Sequence, residues 1–293
     1  MVYVDVEGKP DGRVSVAADL ARRFDAHLIG IASGAPISVV LGEDAPNETT
    51  IETPQLRDIK ALLDEKAQQF RAAVGSSSRG VEWRSVVGLQ ADVVAREARA
   101  ADLVIIGTAR ASRDPFRALD PGSFILKAGR PVLVVPTGVT ALRPGRVAVA
   151  WKDVREARRA VQDALPFLRE AENVVIVEVS ERGGDQASSR LRDVANYLTR
   201  HGIATVTERV LPVDATVANS LLRFIADENL SLVAAGGYGH SRLGMGVWWG
   251  HPRPVGGKSG LLPLLALTAA KDRKMISPRD HRTASQRTTS RVD

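Results

Sequence analysis

The sequence predicts an α/β protein made of two tandem open parallel-sheet units, the second incomplete. Three observations point there. Short apolar runs of strand type alternate with longer amphipathic runs of helix type, the pattern of a parallel sheet covered on both faces. The pattern restarts past residue 145, so LVIIG at 103–107 lies over LVAAG at 232–236, with Ser112 and Arg113 over Ser241 and Arg242. Aromatic residues are only 4% of the chain, and a core rich in Ala and Val suits helices lying on parallel strands better than a β-sandwich.

The elements follow in order. VYVDV at 2–6 is a short strand, and Val14, Ala17, Ala18, Ala21 and Phe24 mark one helical face. HLIGIA at 27–32 is the second strand, and residues 33–53 are loop-like. Leu56, Ile59, Leu62, Leu63, Ala67, Phe70 and Val74 define a long amphipathic helix. VEWRSVV at 81–87 alternates like a strand, and a short helix around Val93 and Val94 leads to DLVIIG. A helix ending near Gly129 and the strand PVLVVP at 131–136 complete the first unit. After the linker at 137–145 come a strand at 146–150 and a helix carrying Ala157, Ala160, Val161, Ala164 and Leu168. Strands at 174–179, 203–211 and 230–237 then alternate with helices at 186–201 and 215–228. The domain boundaries are 1–138, 139–244 and a basic, disordered tail at 245–293.

Of 40 Lys and Arg and 34 Asp and Glu, nine and three fall in residues 251–293, leaving 31 of each sign in residues 1–250. The body is therefore neutral and the +6 charge belongs to the tail, which argues against a nucleic-acid-binding surface on the folded part. The chain has no cysteine, so it has neither disulfides nor a thiol nucleophile. No apolar run reaches membrane-span length, and the first residues lack a signal-peptide pattern. A cytoplasmic location is expected.

VYVD at the first strand, DLVIIG at the fourth, RPVLVVP at the fifth and GGYGHSRLG after the matching strand of the second unit carry a resemblance. Over roughly residues 1–243 the chain resembles the universal stress protein family in its tandem form. The resemblance implies Rossmann-like, adenine-nucleotide-hydrolase-like units and a stress-response role without catalysis. It also implies ATP or a related nucleotide as ligand, and pairing of the two units or a homodimer. In the nucleotide-binding branch an Asp ends the first strand, and a G-x-x-G loop followed by Gly and Ser or Thr cradles phosphates. The physics supports that use, because glycines let backbone N–H groups approach phosphate oxygens and a helix N-terminus favours an anion.

On these positions the first unit keeps Asp5, Gly107, Gly122 and Ser123, while Arg110 stands at the second glycine and the spacing to Gly122 is longer. Arg110, Arg113 and Arg117 either pair with phosphates or are solvated. The second unit keeps Gly236 and Gly239, has Lys152 in place of the strand-end Asp, and lacks the downstream Gly-Ser. His240 reads as a turn residue, and Trp151, Trp248 and Trp249 as packing or tail residues. The residues show no paired catalytic carboxylates, metal-type His cluster or nucleophile elbow, so no enzyme is expected.

The second unit stops short of its last helix and strand. After Leu243, Gly, Pro and Trp crowd a stretch where a helix is due; LLPLLAL at 261–267 covers the gap at most in part, since Pro263 makes it a poor strand or helix. Permitted codons for the residues from Met245, read one base on, spell WVFGGVTRDLLAESPVCCLFSH and then a stop. That peptide supplies a turn, an amphipathic helix and a strand, so a frameshift near Gly244 is expected. On that reading GGKSG at 256–260 is an accident. Its P-loop form also fails by itself, since Pro252 stands where the first glycine belongs and no strand precedes it.

Three alternatives carry distinct signatures. An ATP-cleaving α/β enzyme needs a glycine-serine loop after the first strand, where VEGKPDG and WKDVREA stand instead. An interaction module would leave both loops empty. A nucleic-acid binder would act through the tail with steep salt dependence.

Overall fold

The computed structural model describes residues 1–6, 12–36, 54–75, 79–108, 119–143, 145–180, 185–237 and 264–267. In the first unit, strands β1 (Val2–Tyr3), β2 (Leu28–Gly34), β3 (Val81–Val87), β4 (Val104–Gly107) and β5 (Val132–Val135) alternate with helices. These are α1 (Arg13–Arg23), α2 (Pro54–Val74), α3 (Gln90–Glu97) and α4 (Pro121–Ala128). In the second, β6 (Arg146–Trp151), β7 (Asn173–Ser180), β8 (Val206–Pro212) and β9 (Leu232–Gly236) alternate with α5 (Arg155–Glu170), α6 (Asp185–Arg200) and α7 (Val217–Asp227). A tenth strand, β10 (Leu264–Leu267), follows. The expected α/β architecture is the observed one: two parallel units, of five strands and of four.

All strands join one sheet in the order β3-β2-β1-β4-β5-β10-β9-β6-β7-β8. Within each unit neighbours run parallel. Both faces are covered, and the side-chain period of two sorts residues between them. Val2, Leu28, Ile105, Leu133 and Val135 pack with α1 and α2, while Tyr3, Ile29, Ile31, Val104, Ile106, Val132 and Val134 pack with α3 and α4. The outer strands β3 and β8 carry Glu82, Arg84, Glu208 and Arg209, charges that discourage edge-to-edge pairing.

β10 corrects the expectation for LLPLLAL and for a tail wholly without structure. It runs parallel to β9 and antiparallel to β5, with Leu265 opposite both Ala234 and Leu133. It fills the position in the second unit that β5 fills in the first. Pro263 precedes the strand in sequence, a position at which a proline is compatible with a sheet. Two smaller differences concern helix faces: Phe24 and Leu62, expected inside, are exposed.

The units share one core. Residues of α1, α5, β1, β6 and the linker residue Leu142 belong to the same apolar cluster. Phe24 meets Phe167 edge-on at 5.5 Å, Arg23 pairs with Glu170, and Arg23 donates to the Leu142 carbonyl. The linker also locks onto the start of α1. A Cβ on Gly12 would lie 2.0 Å from the Val139 carbonyl oxygen, so only glycine allows this approach.

Candidate functional site

In each unit the chain winds outward in one direction from its first strand and then returns to its other side. The reversal falls between β1 and β4 in the first unit and between β6 and β9 in the second. The crevice beyond the C-terminal strand ends at such a switch point is where open α/β sheets bind ligands.

In the first unit, Val2 is in register with Ile105, so the chain past β1 runs beside the end of β4. Asp5, two residues beyond the end of β1, and Gly107, the last residue of β4, therefore stand at the same edge. Arg13 opens α1 and is 7% exposed. Its guanidinium lies over Gly107: a Cβ there would be 2.8 Å from Cζ, 3.0 Å from Nη2 and 3.1 Å from Nε. Arg13 also donates from Nη1 to the Tyr3 carbonyl at 3.3 Å. Gly107 thus has a role that the sequence did not reveal, as the floor beneath a buried cation.

Gly122 and Ser123 lie in the first turn of α4. The Ser123 amide donates to the Asp120 carboxylate at 2.7 Å, and Ser123 Oγ donates to the Asp120 carbonyl at 3.2 Å. Asp120 is a helix N-cap, and Pro121 at the next position suits the helix start. The Ser123 amide is therefore committed to a carboxylate of the chain itself. Arg110 and Gly239 lie outside the described residues.

In the second unit Gly236 ends β9 just as Gly107 ends β4, but backbone covers it. A Cβ on Gly236 would lie 2.8 Å from the Ala157 amide nitrogen and 2.8 Å from the Glu156 carbonyl carbon. Glu156 sits in the first turn of α5, with a side chain 13% exposed and paired to Arg155 at 2.7 Å. Burial pushes the Glu156 carboxyl upward. The Arg155 hydrogen bond, its own backbone amide and the Arg155 charge outweigh that and hold it below the usual carboxylate range. Trp151 is buried in the core at the end of β6, as its reading as a packing residue expected.

Among the described residues, no group of His, Asp and Glu side chains could hold a metal ion. No helix of the described residues is long and apolar enough to cross a membrane.

Searches of protein-family models and of curated protein sequences find no match. Solved structures do match. A universal stress protein from Archaeoglobus fulgidus superposes with a TM-score of 0.65 at 14% identity, covering 92% of this chain and 97% of that one. The fold is that of a tandem universal stress protein. A functionally unknown protein from Pseudomonas aeruginosa shares it at a TM-score of 0.51 and 13% identity, over 91% of this chain and 92% of that one. Near-complete coverage of both partners means that the universal stress fold extends through both repeats.

Proposed function

We propose that the chain is a tandem universal stress protein, a cytoplasmic and non-catalytic stress-response binding protein whose first unit holds ATP or a related adenine nucleotide. One observation carries this reading: Asp5 and Gly107 stand at the same strand-end edge of the switch point between β1 and β4, with the Arg13 guanidinium over Gly107. A carboxylate there can accept hydrogen bonds from ribose hydroxyls or a base amino group, and a guanidinium matches phosphate oxygens. Titration of ATP into the full chain, followed by calorimetry, tests it. Saturable heat without release of ADP supports the reading; no heat sinks it, and steady turnover would make the protein an enzyme instead.

A second reading, an interaction module with empty loops, is favoured by a specific feature. Asp120 occupies the Ser123 amide, and atoms of the chain itself cover both strand-end glycines. It predicts no heat with ATP.

The same proposal holds that the residues from about Met245 come from a changed reading frame. In the alternative frame the strand PVCCL aligns with residues 259–263, next to the position where β10 pairs with β9 and β5. Sequencing the gene across the codons for Arg242 to Leu267 decides it. The alternative frame must read through to a stop, or the tail is genuine.

A further inference from the structure

The linker between the repeats is a strap rather than a tether, because it meets α1 at both of its ends. At the start of α1 the Val139 carbonyl lies so close to Gly12 that a Cβ there would stand 2.0 Å from its oxygen. At the far end Arg23 donates from Nη1 to the Leu142 carbonyl at 2.5 Å. α1 is 11 residues long, about 16 Å, and the step from Val139 to Leu142 spans at most about 11 Å. The Arg23 side chain, leaning toward the start of its helix, closes the difference. The linker then reaches the second unit, where the Gly145 carbonyl accepts from the Glu172 amide at 3.0 Å, just past the end of α5.

Arg23 is where the linker, the first unit and the second unit meet. Its Nη2 pairs with Glu170 at the end of α5, its Nη1 lies 3.5 Å from Asp19 on its own helix, and its guanidinium stands 5.7 Å from the centre of the Phe24 ring. Phe24 in turn meets Phe167 of α5 edge-on. The Arg23 side chain is 22% exposed, so its charge-assisted bonds form partly out of water, where they are stronger than on an open surface. Leu142 and Phe167, the residues that Arg23 and Phe24 touch, are buried in the apolar cluster that spans both units. Arg22, one position earlier, is by contrast 58% exposed and pairs with Asp19 within its own helix at 3.6 Å.

We infer that this clasp makes the two repeats one cooperative body, with α1 as the element that passes a disturbance of the first unit to the second. Units joined by a bare tether open independently, each with its own free energy. Here the second unit separates from α1 only by breaking the Arg23 bonds and lifting Leu142 and Phe167 out of the shared core. The other joint, β10, is four residues long and meets β5 over three register pairs, so the clasp carries the larger share of the coupling. The planar fork suits arginine to this place, since one nitrogen holds the linker carbonyl while another holds the Glu170 carboxylate.

The test is native-state hydrogen exchange of the full chain, with Phe70→Leu as the disturbance. Phe70 of α2 is buried in the outer part of the first unit, 5.2 Å from the Trp83 ring, and shortening it leaves a void. Coupled repeats answer together: Phe70→Leu speeds exchange at least fivefold in β2 and by the same factor, within twofold, in β7. In an Arg23→Gln background the factor in β7 falls at least threefold below that in β2. An Arg22→Gln background leaves the two factors equal. Where circular dichroism shows Arg23→Gln unfolded, Glu170→Gln takes its place; it removes the ion pair, spares the bond to Leu142 and is expected to separate the factors in the same direction. A β7 that ignores Phe70→Leu in the otherwise unaltered chain overturns the coupling. Equal factors in the clasp variant, or a separation that Arg22→Gln produces as well, overturns the role of the clasp.

Discussion

Alanine at Gly236 should cost more stability than alanine at Gly107. On Gly236 the new methyl would lie 2.8 Å from the Ala157 nitrogen and the Glu156 carbonyl carbon, against about 3.5–4.0 Å for an unstrained contact. Both obstacles are backbone. α5 cannot slide away, because Ala157, Ala160, Val161, Ala164 and Leu168 are buried along it and Glu170 holds Arg23 of α1. Overpacking of this kind costs about 1–3 kcal/mol, and the stiffer unfolded chain returns about 0.4–1 kcal/mol. A net loss of about 1–2 kcal/mol follows, or roughly 2–8 °C in Tm at the 2–4 °C per kcal/mol typical of larger domains. At Gly107 the obstacle is the far end of the Arg13 side chain, so relief needs a side-chain shift and no helix displacement, at the cost of the hydrogen bond to the Tyr3 carbonyl. The loss there should be the smaller one, about 1 kcal/mol for a displaced hydrogen bond, while ATP binding falls because the guanidinium has moved. Differential scanning calorimetry of both variants checks this. Equal Tm losses, or a neutral Gly236→Ala, would refute the packing argument.

Three further outcomes follow from other parts of the molecule. A Cβ on Gly30 would lie 2.6–2.8 Å from three carbons of the buried Phe70 ring. Gly30→Ala should therefore destabilise by about 1–3 kcal/mol, and Phe70→Leu in the same chain should recover part of the loss in denaturant titration. Glu97 is nearly buried, which raises its carboxyl pKa, but hydrogen bonds from Arg96 and Arg84 and the charge of Arg99 outweigh burial and leave it lowered. A lowered folded value means stability that is present above the unfolded value of about 4.3 and lost as pH falls below it. The Tm gap between the original chain and Glu97→Gln should thus be widest near neutrality and close in acid, and a gap constant from neutral to acid pH contradicts it. A chain with the alternative frame restored from Met245 should melt above the present one, because it adds an amphipathic helix and a longer fifth strand to the second unit. Equal melting temperatures would sink that expectation.

The fold was largely legible because parallel strands buried on both faces read as continuous apolar runs. VIIG at the end of the fourth strand and VLVV in the fifth needed no further signal. The repeat then supplied the second unit from the first. β10 was legible only in part: LLPLLAL stands out as an apolar run able to cover the gap, but Pro263 argues against a strand and nothing local announces that β5 and β9 both lack a neighbour. What recruits Leu264–Leu267 is the pair of open ladders on either side.

The strand-end placement of Asp5, Gly107 and Gly236 was legible, because short apolar runs stop there. Arg13 was not, because an arginine in a first helical turn reads as a solvated charge, and its burial depends on β4, more than ninety residues away. The cap at Ser123 could have been found: Asp-Pro-Gly-Ser is a helix-start signature, and it assigns the Ser123 amide to Asp120 before any ligand. Gly12 shows the opposite limit, as its need for glycine comes from the Val139 carbonyl across the linker.

The most direct test of where the nucleotide sits is amide hydrogen exchange of the full chain with and without saturating ATP. Slower exchange at the start of α1 and over residues 104–108, with no change over residues 232–237, is the predicted result. Protection confined to the second unit, or equal in both, would contradict it.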